Sequence, residues 1–126
     1  MKTIKTIIMA LIFGIFFFQS ASMYAQDPMK AAHNVYRKVL LENDKVRVME
    51  VVFAPGATAA MHSHPNHTVY VVDGGKIEIT EKGKKAMAMD IKAGTAIYIP
   101  AVSHMAKNTG MTTLKLIVTE MKPAKK

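Results

Sequence analysis

From Gln26 onward no stretch of this chain keeps a helical period; its apolar residues come in short alternating or continuous runs cut by Gly, Pro, Asn and Asp. Residues two apart on a strand share a face, so such runs read as strands and the breaks as turns. Val46 to Phe53 ends at Pro55-Gly56, and Thr68 to Val72 stops at Asp73-Gly74-Gly75. Ile77-Glu78-Ile79-Thr80 alternates strictly, Glu81-Lys82-Gly83-Lys84 reads as a hairpin turn, and Ala86 to Ile91 as the return strand. Lys92-Ala93-Gly94 turns the chain before Thr95 to Ile99, and Asn108-Thr109-Gly110 turns it before Leu114 to Met121. Many short strands without an internal repeat predict an all-β sandwich or closed barrel. One domain is expected over residues 34–121, with residues 28–36 as a helical turn or loose arm and 122–126 as a flexible basic tail.

The first 25 residues follow a different logic. A short basic start, Met1 to Lys5, precedes an apolar run of twelve residues, Ile7 to Phe18, and then the small residues Ser20, Ala21, Ser22 and Ala25. This order predicts a secretory signal peptide over 1–25, hence an exported (periplasmic or secreted) protein with no stable membrane anchor after cleavage. The apolar run is shorter than the roughly 20 residues a membrane-spanning helix needs. Cleavage after Ala25 leaves Gln26 first; a cut after Ser22 is the alternative. With the segment removed two lysines leave and all nine acids stay, so the net charge falls from +8 to +6. Nucleic acid is not an expected partner, because no basic stripe is interleaved with aromatics. The chain has no cysteine, which excludes disulfides and thiolate metal sites.

Histidine carries the chemistry. Of five, four are His62, His64, His67 and His104. His62 and His64, two apart, project together if that segment is a strand, and a third imidazole from elsewhere would complete a grip on a divalent metal. His104, after a strand and the Pro100 corner, is placed for this. Imidazole suits zinc, copper, iron and nickel, whereas magnesium and calcium prefer oxygen. No nucleophile–base pair, phosphate loop or paired carboxylates accompany them, so no catalytic residue is assigned and any catalysis would come from the metal. Eight methionines remain beyond residue 25, Met61 and Met105 next to proposed ligands. They are read as fillers of a core whose sole phenylalanine is Phe53 rather than as copper ligands.

The spacing around the histidines resembles the two motifs of the cupin family. The first reads Gly56-Ala-Thr-Ala-Ala-Met-His62-Ser-His64-Pro-Asn-His67-Thr68 and then Val69 to Gly75; the second reads Gly94-Thr-Ala-Ile-Tyr-Ile-Pro100-Ala-Val-Ser-His104-Met-Ala-Lys-Asn108. The resemblance covers about residues 40–121. It implies a cupin-type double-stranded β-helix, a jelly-roll barrel, with one divalent transition metal (Fe, Zn, Cu or Ni) on His62, His64 and His104. It also implies positive φ at Gly56, Gly75 and Gly94, a small-molecule ligand, and a homodimer, for which residues 34–41 could serve as a swapped strand.

Two departures qualify it. The family's first motif carries a glutamate ligand, and counting back from Gly75 puts Thr68 in that slot. The second motif is one residue tighter between Pro100 and His104 than is usual. Three neutral imidazoles leave the ion its full charge, which favours an anionic ligand or bound water. His67 is an alternative fourth ligand, one residue out of step with His62 and His64. Thr68, Tyr70, Tyr98 and Asn108 are the expected pocket-lining residues, with Asn108 also suited to its turn. Three readings stay open: a metal-dependent oxygenase, isomerase or lyase on a small anionic molecule; a non-catalytic ligand- or metal-binding module of the cell envelope; and a cupin that keeps its histidines without a metal.

Overall fold

Alternation becomes strand along most of the chain. The computed structural model describes residues 26–126; the expected signal segment, 1–25, lies outside the described residues. One helical turn, α1 (Pro28–Ala31), precedes nine strands: β1 (Tyr36–Glu42), β2 (Val46–Phe53), β3 (Thr58–His64), β4 (His67–Asp73), β5 (Gly75–Glu81), β6 (Met87–Ile91), β7 (Ala96–Ile99), β8 (Val102–Asn108) and β9 (Leu114–Met121). They form two antiparallel sheets, β1-β2-β9-β4-β7 and β3-β8-β5-β6. The chain passes from one sheet to the other at β2–β3, β3–β4, β4–β5, β6–β7, β7–β8 and β8–β9, so the two layers wind around one interior. This is the jelly-roll arrangement expected.

The interior is set by parity. β2 and β9 pair without interruption from Val46↔Met121 to Phe53↔Leu114. Met49, Val51 and Phe53 on one strand therefore meet Val118, Leu116 and Leu114 on the other, all buried. Val71 joins them from β4, and Ala59, Ala106, Ile77 and Ile91 close the layer from the second sheet. Burying each large apolar side chain stabilises the fold by roughly 1.5–3 kcal/mol.

The arm at residues 28–36 is packed rather than loose, and the folded body starts before residue 34. Asp27 caps α1 by accepting from the Met29 N–H at 2.8 Å, Pro28 occupies the first turn, and Ala32 and Val35 are fully buried. The arm leads into β1, which pairs with β2 of its own chain. At the other end the tail is anchored at its first residue: the Lys122 N–H donates to the Lys45 carbonyl at 2.8 Å, and Lys122 Nζ lies 2.7 Å from Glu42. Gly56, Gly75 and Gly94 have positive φ, as expected. Gly74 is required sterically, since a Cβ there would collide with the Ile91 carbonyl oxygen and stand 2.9 Å from the Ala93 nitrogen.

Candidate metal centre

A bulge aims the first two histidines. Between Ala59↔Ala106 and His62↔His104, two residues of β3, Ala60 and Met61, oppose one residue of β8. The extra residue resets the phase, so Ala59, His62 and His64 all point inward although Ala59 and His62 are three apart. His104 sits directly across the ladder from His62, with ring centroids 4.7 Å apart. One ring nitrogen from each of His62, His64 and His104 lies within 4.8 Å of the others, and all three residues are buried. The trio expected from spacing is thus assembled.

His67 begins β4 in the opposite sheet and also faces inward. It is 1% exposed and stacks on His64 with centroids 4.4 Å apart, against 6.4 Å to His104. It stands beside the trio rather than within it. Thr68, placed in the glutamate slot from the sequence, faces away, opposite Tyr98 on β7 and Thr119 on β9. The count back from Gly75 crosses a second bulge, between Val71↔Leu116 and Asp73↔Lys115, which shifts the phase by one residue. Odd-numbered residues of β4 therefore line the interior. Tyr70 and Tyr98 are 47% and 58% exposed and, with Thr68, lie outside the cavity. Asn108 is buried but also outside it: its amide donates to the Phe53 carbonyl at 3.0 Å and the Thr112 carbonyl at 2.7 Å, and accepts from the Gly110 N–H at 2.9 Å. It ties β2 to the β8–β9 turn.

Hydrogen bonds behind the rings fix their tautomers. The Nδ1–H of His62 donates to the Ala60 carbonyl at 2.7 Å, that of His67 to the Pro65 carbonyl at 2.8 Å, and that of His64 to Glu120 Oε1 at 2.7 Å. Carbonyls and carboxylates only accept, so each Nδ1 carries the proton and each Nε2 keeps its lone pair. Glu120 is held in turn by Arg47, at 2.7 Å from NH2 and 2.9 Å from Nε, and Arg47 also reaches Asp27 at 2.7 Å. Neither Glu120 nor Tyr36 was found from the sequence. Glu120 occupies the inward phase of Leu114-Leu116-Val118, and a charge on a buried face is the signal that could have exposed it. Tyr36 lies in the arm before the resembling region.

The result is a buried crowd of acceptors. The Tyr36 hydroxyl lies 3.2 Å from His62 Nε2 and 2.9 Å from His64 Nε2, yet its single proton satisfies only one of them. Among the described residues, the buried His67 Nε2 finds no hydrogen-bond partner. Burial, then mutual repulsion of their charged forms, lowers His64 to about 2 and His104 to about 3. Burial also lowers His62 and His67. It pushes the Tyr36 phenol up, and raises Glu120 although Arg47 opposes that shift. Neutral imidazoles with free Nε2 lone pairs are ligands, and the unsatisfied Nε2 of His67 fits a bound cation better than an empty hydrocarbon pocket.

His64, His67 and His104 line one end of a cavity of about 230 Å³. Its walls are chiefly Val69, Val71, Ile77, Ile97, Leu116 and Val118. Met87 and Met89 line it, whereas Met61 and Met105 do not.

A model of the cupin domain matches residues 49–120. Among solved structures, the chain is similar to a cupin domain from Bordetella pertussis (TM-score 0.64, 23% identity, 68% of this chain and 91% of that one). It is similar to an RmlC-like cupin family protein with a double-stranded β-helix fold from Methanocaldococcus jannaschii (TM-score 0.58, 17% identity, 68% and 77%). A cupin-like protein from Thermotoga maritima is 31% identical, with a TM-score of 0.52 over 66% of this chain and 65% of that one. No curated protein matches the sequence.

Proposed function

The chain belongs to the cupin family, and on that footing we propose that it is an exported metalloprotein whose metal acts on a small molecule held in the barrel. His62, His64 and His104 would hold one divalent ion, and His67, beside that trio, is the candidate fourth ligand in place of the family's glutamate. The observation that carries this reading is the buried cluster of ring nitrogens from His62, His64 and His104, with the partnerless Nε2 of His67 beside it. The donor set suits iron, zinc, copper or nickel. Such an ion supplies Lewis acidity, or a redox couple where the metal has one. The chain's own part is to fix the ligands: Glu120 and the Ala60 and Pro65 carbonyls hold the imidazoles in the ligating tautomer, and the apolar walls exclude water.

A catalytic reading is preferred to passive binding because the histidines border an open apolar cavity in which a small molecule fits beside the ion. The oxygenase and isomerase classes both need only this pairing of ion and pocket. Export rests on the order of basic, apolar and small residues in 1–25; N-terminal sequencing of protein from the cell envelope or medium should find Gln26 or Met23 first. A homodimer would use the edge strand β1, where Val39, Leu40 and Leu41 are exposed.

The test is metal content. Untagged protein purified without chelators should carry close to one equivalent of a transition metal by mass spectrometry, and His64→Ala should lose it. Protein that holds no metal after reconstitution with each of the four ions would overturn the proposal.

A further inference from the structure

The uncompensated charge expected on the metal pointed to a small anionic ligand, yet the cavity offers such a ligand almost nothing along its length. Among the described residues neither lysine nor arginine lines it. Its one carboxylate, Glu81, is 39% exposed and paired with Lys84 at 2.6 Å, so it belongs to the rim. Met87, 56% exposed, marks the same mouth. Away from the histidines the walls are hydrocarbon from both sheets, with Phe53 and Val71 at the base of the packing. The other polar atoms stand at the same end as Glu81, since Glu81 lies directly across the ladder from His104: the Tyr36 hydroxyl, His64, His104 and the partnerless Nε2 of His67. A cavity of roughly 150 Å³ is enough for benzene, so about 230 Å³ admits a six-membered ring with a short substituent or an equivalent chain.

We propose that the barrel takes an amphiphilic small molecule, an apolar body about the size of a substituted ring with a single oxygen-bearing head, its head at the histidines and its body against the apolar walls beyond them. The head's affinity rests on the metal reading above; recognition of the body does not. A charge or hydrogen-bonding group midway along the ligand would lie against valine, isoleucine and leucine with no partner, so sugars and polyhydroxylated acids are excluded as ligands. The Tyr36 O–H faces the same end and supplies a donor to the head once the imidazole lone pairs are engaged elsewhere.

The experiment is a titration of the straight-chain carboxylates from acetate to hexanoate into zinc-loaded and chelator-stripped protein, followed by calorimetry. Affinity should rise about fourfold per methylene in both preparations. Zinc should add the same factor to every member. A rising series with no zinc advantage supports the apolar body and overturns the metal's role at the head. Affinity that is flat or falls with chain length overturns the inference, whatever the metal content. Ala106→Leu, which extends a wall residue into the cavity, should weaken hexanoate at least tenfold more than it weakens acetate. An equal loss for both acids in a folded variant would overturn it. Should that variant not fold, the series on the unmodified protein decides.

Discussion

Glu120 reaches the histidines from behind, so its effect on a metal would be indirect. Its carboxylate accepts the His64 Nδ1–H and neutralises Arg47, and its own side chain is 5% exposed. Glu120→Gln keeps the shape but weakens both bonds. It should lower metal affinity about 10–100-fold in a chelator competition and cost roughly 2–3 kcal/mol of stability, Arg47 retaining Asp27 as partner. Acid should act through the same rings. Unfolded, each imidazole takes a proton near 6.5; folded, burial keeps His64 neutral to about 2 and His104 to about 3. Below about pH 6.5 the unfolded chain binds more protons than the native one, so stability falls with pH, by up to about 1.4 kcal/mol per unit for each ring. The urea midpoint of metal-free protein should therefore drop between pH 6.5 and 5 and be flat above 7; a midpoint unchanged across that range would contradict the burial of neutral rings. At this scale His62, His64 and His104 were legible because spacing and residue type coincide. Glu120 and Tyr36 were not, because their roles depend on strands distant in sequence from the motif.

The elements were largely legible because Gly, Pro and Asn interrupt the apolar runs where the strands end. Their faces were less so. Two single-residue bulges, at Ala60–Met61 and at Val72, each invert the parity on one side, and neither has a signature in composition. The first leaves the His62–His64 pair intact, so the expectation there survived. The second stands between Gly75 and the histidine end of β4, so counting from the glycine selected Thr68 and Tyr70 where the interior takes His67 and Val69. The loops that fix register are held by buried polar groups. Asn108 joins the end of β2 to the β8–β9 turn through three hydrogen bonds. Asn108→Ala leaves the Phe53 and Thr112 carbonyls without that donor, and should cost about 2–3 kcal/mol in denaturant unfolding. A loss below about 0.5 kcal/mol would mean that the turn is held by other contacts.

For the whole molecule, two sheets converge on a pocket that is apolar for most of its depth and rich in lone pairs at one end. A core with Phe53 as its sole phenylalanine is filled instead by β-branched residues, leucines and Met49, leaving room for a ligand. The same architecture serves many chemistries, so the account stands or falls on what occupies the histidine end. X-ray absorption at the edge of the retained metal tests this most directly, because imidazole rings give a distinctive multiple-scattering pattern. Three or four imidazole nitrogens at about 2.0–2.2 Å are expected in the unmodified protein, and no retained metal in His64→Ala. A shell of oxygens, or one unchanged by that substitution, would contradict the account.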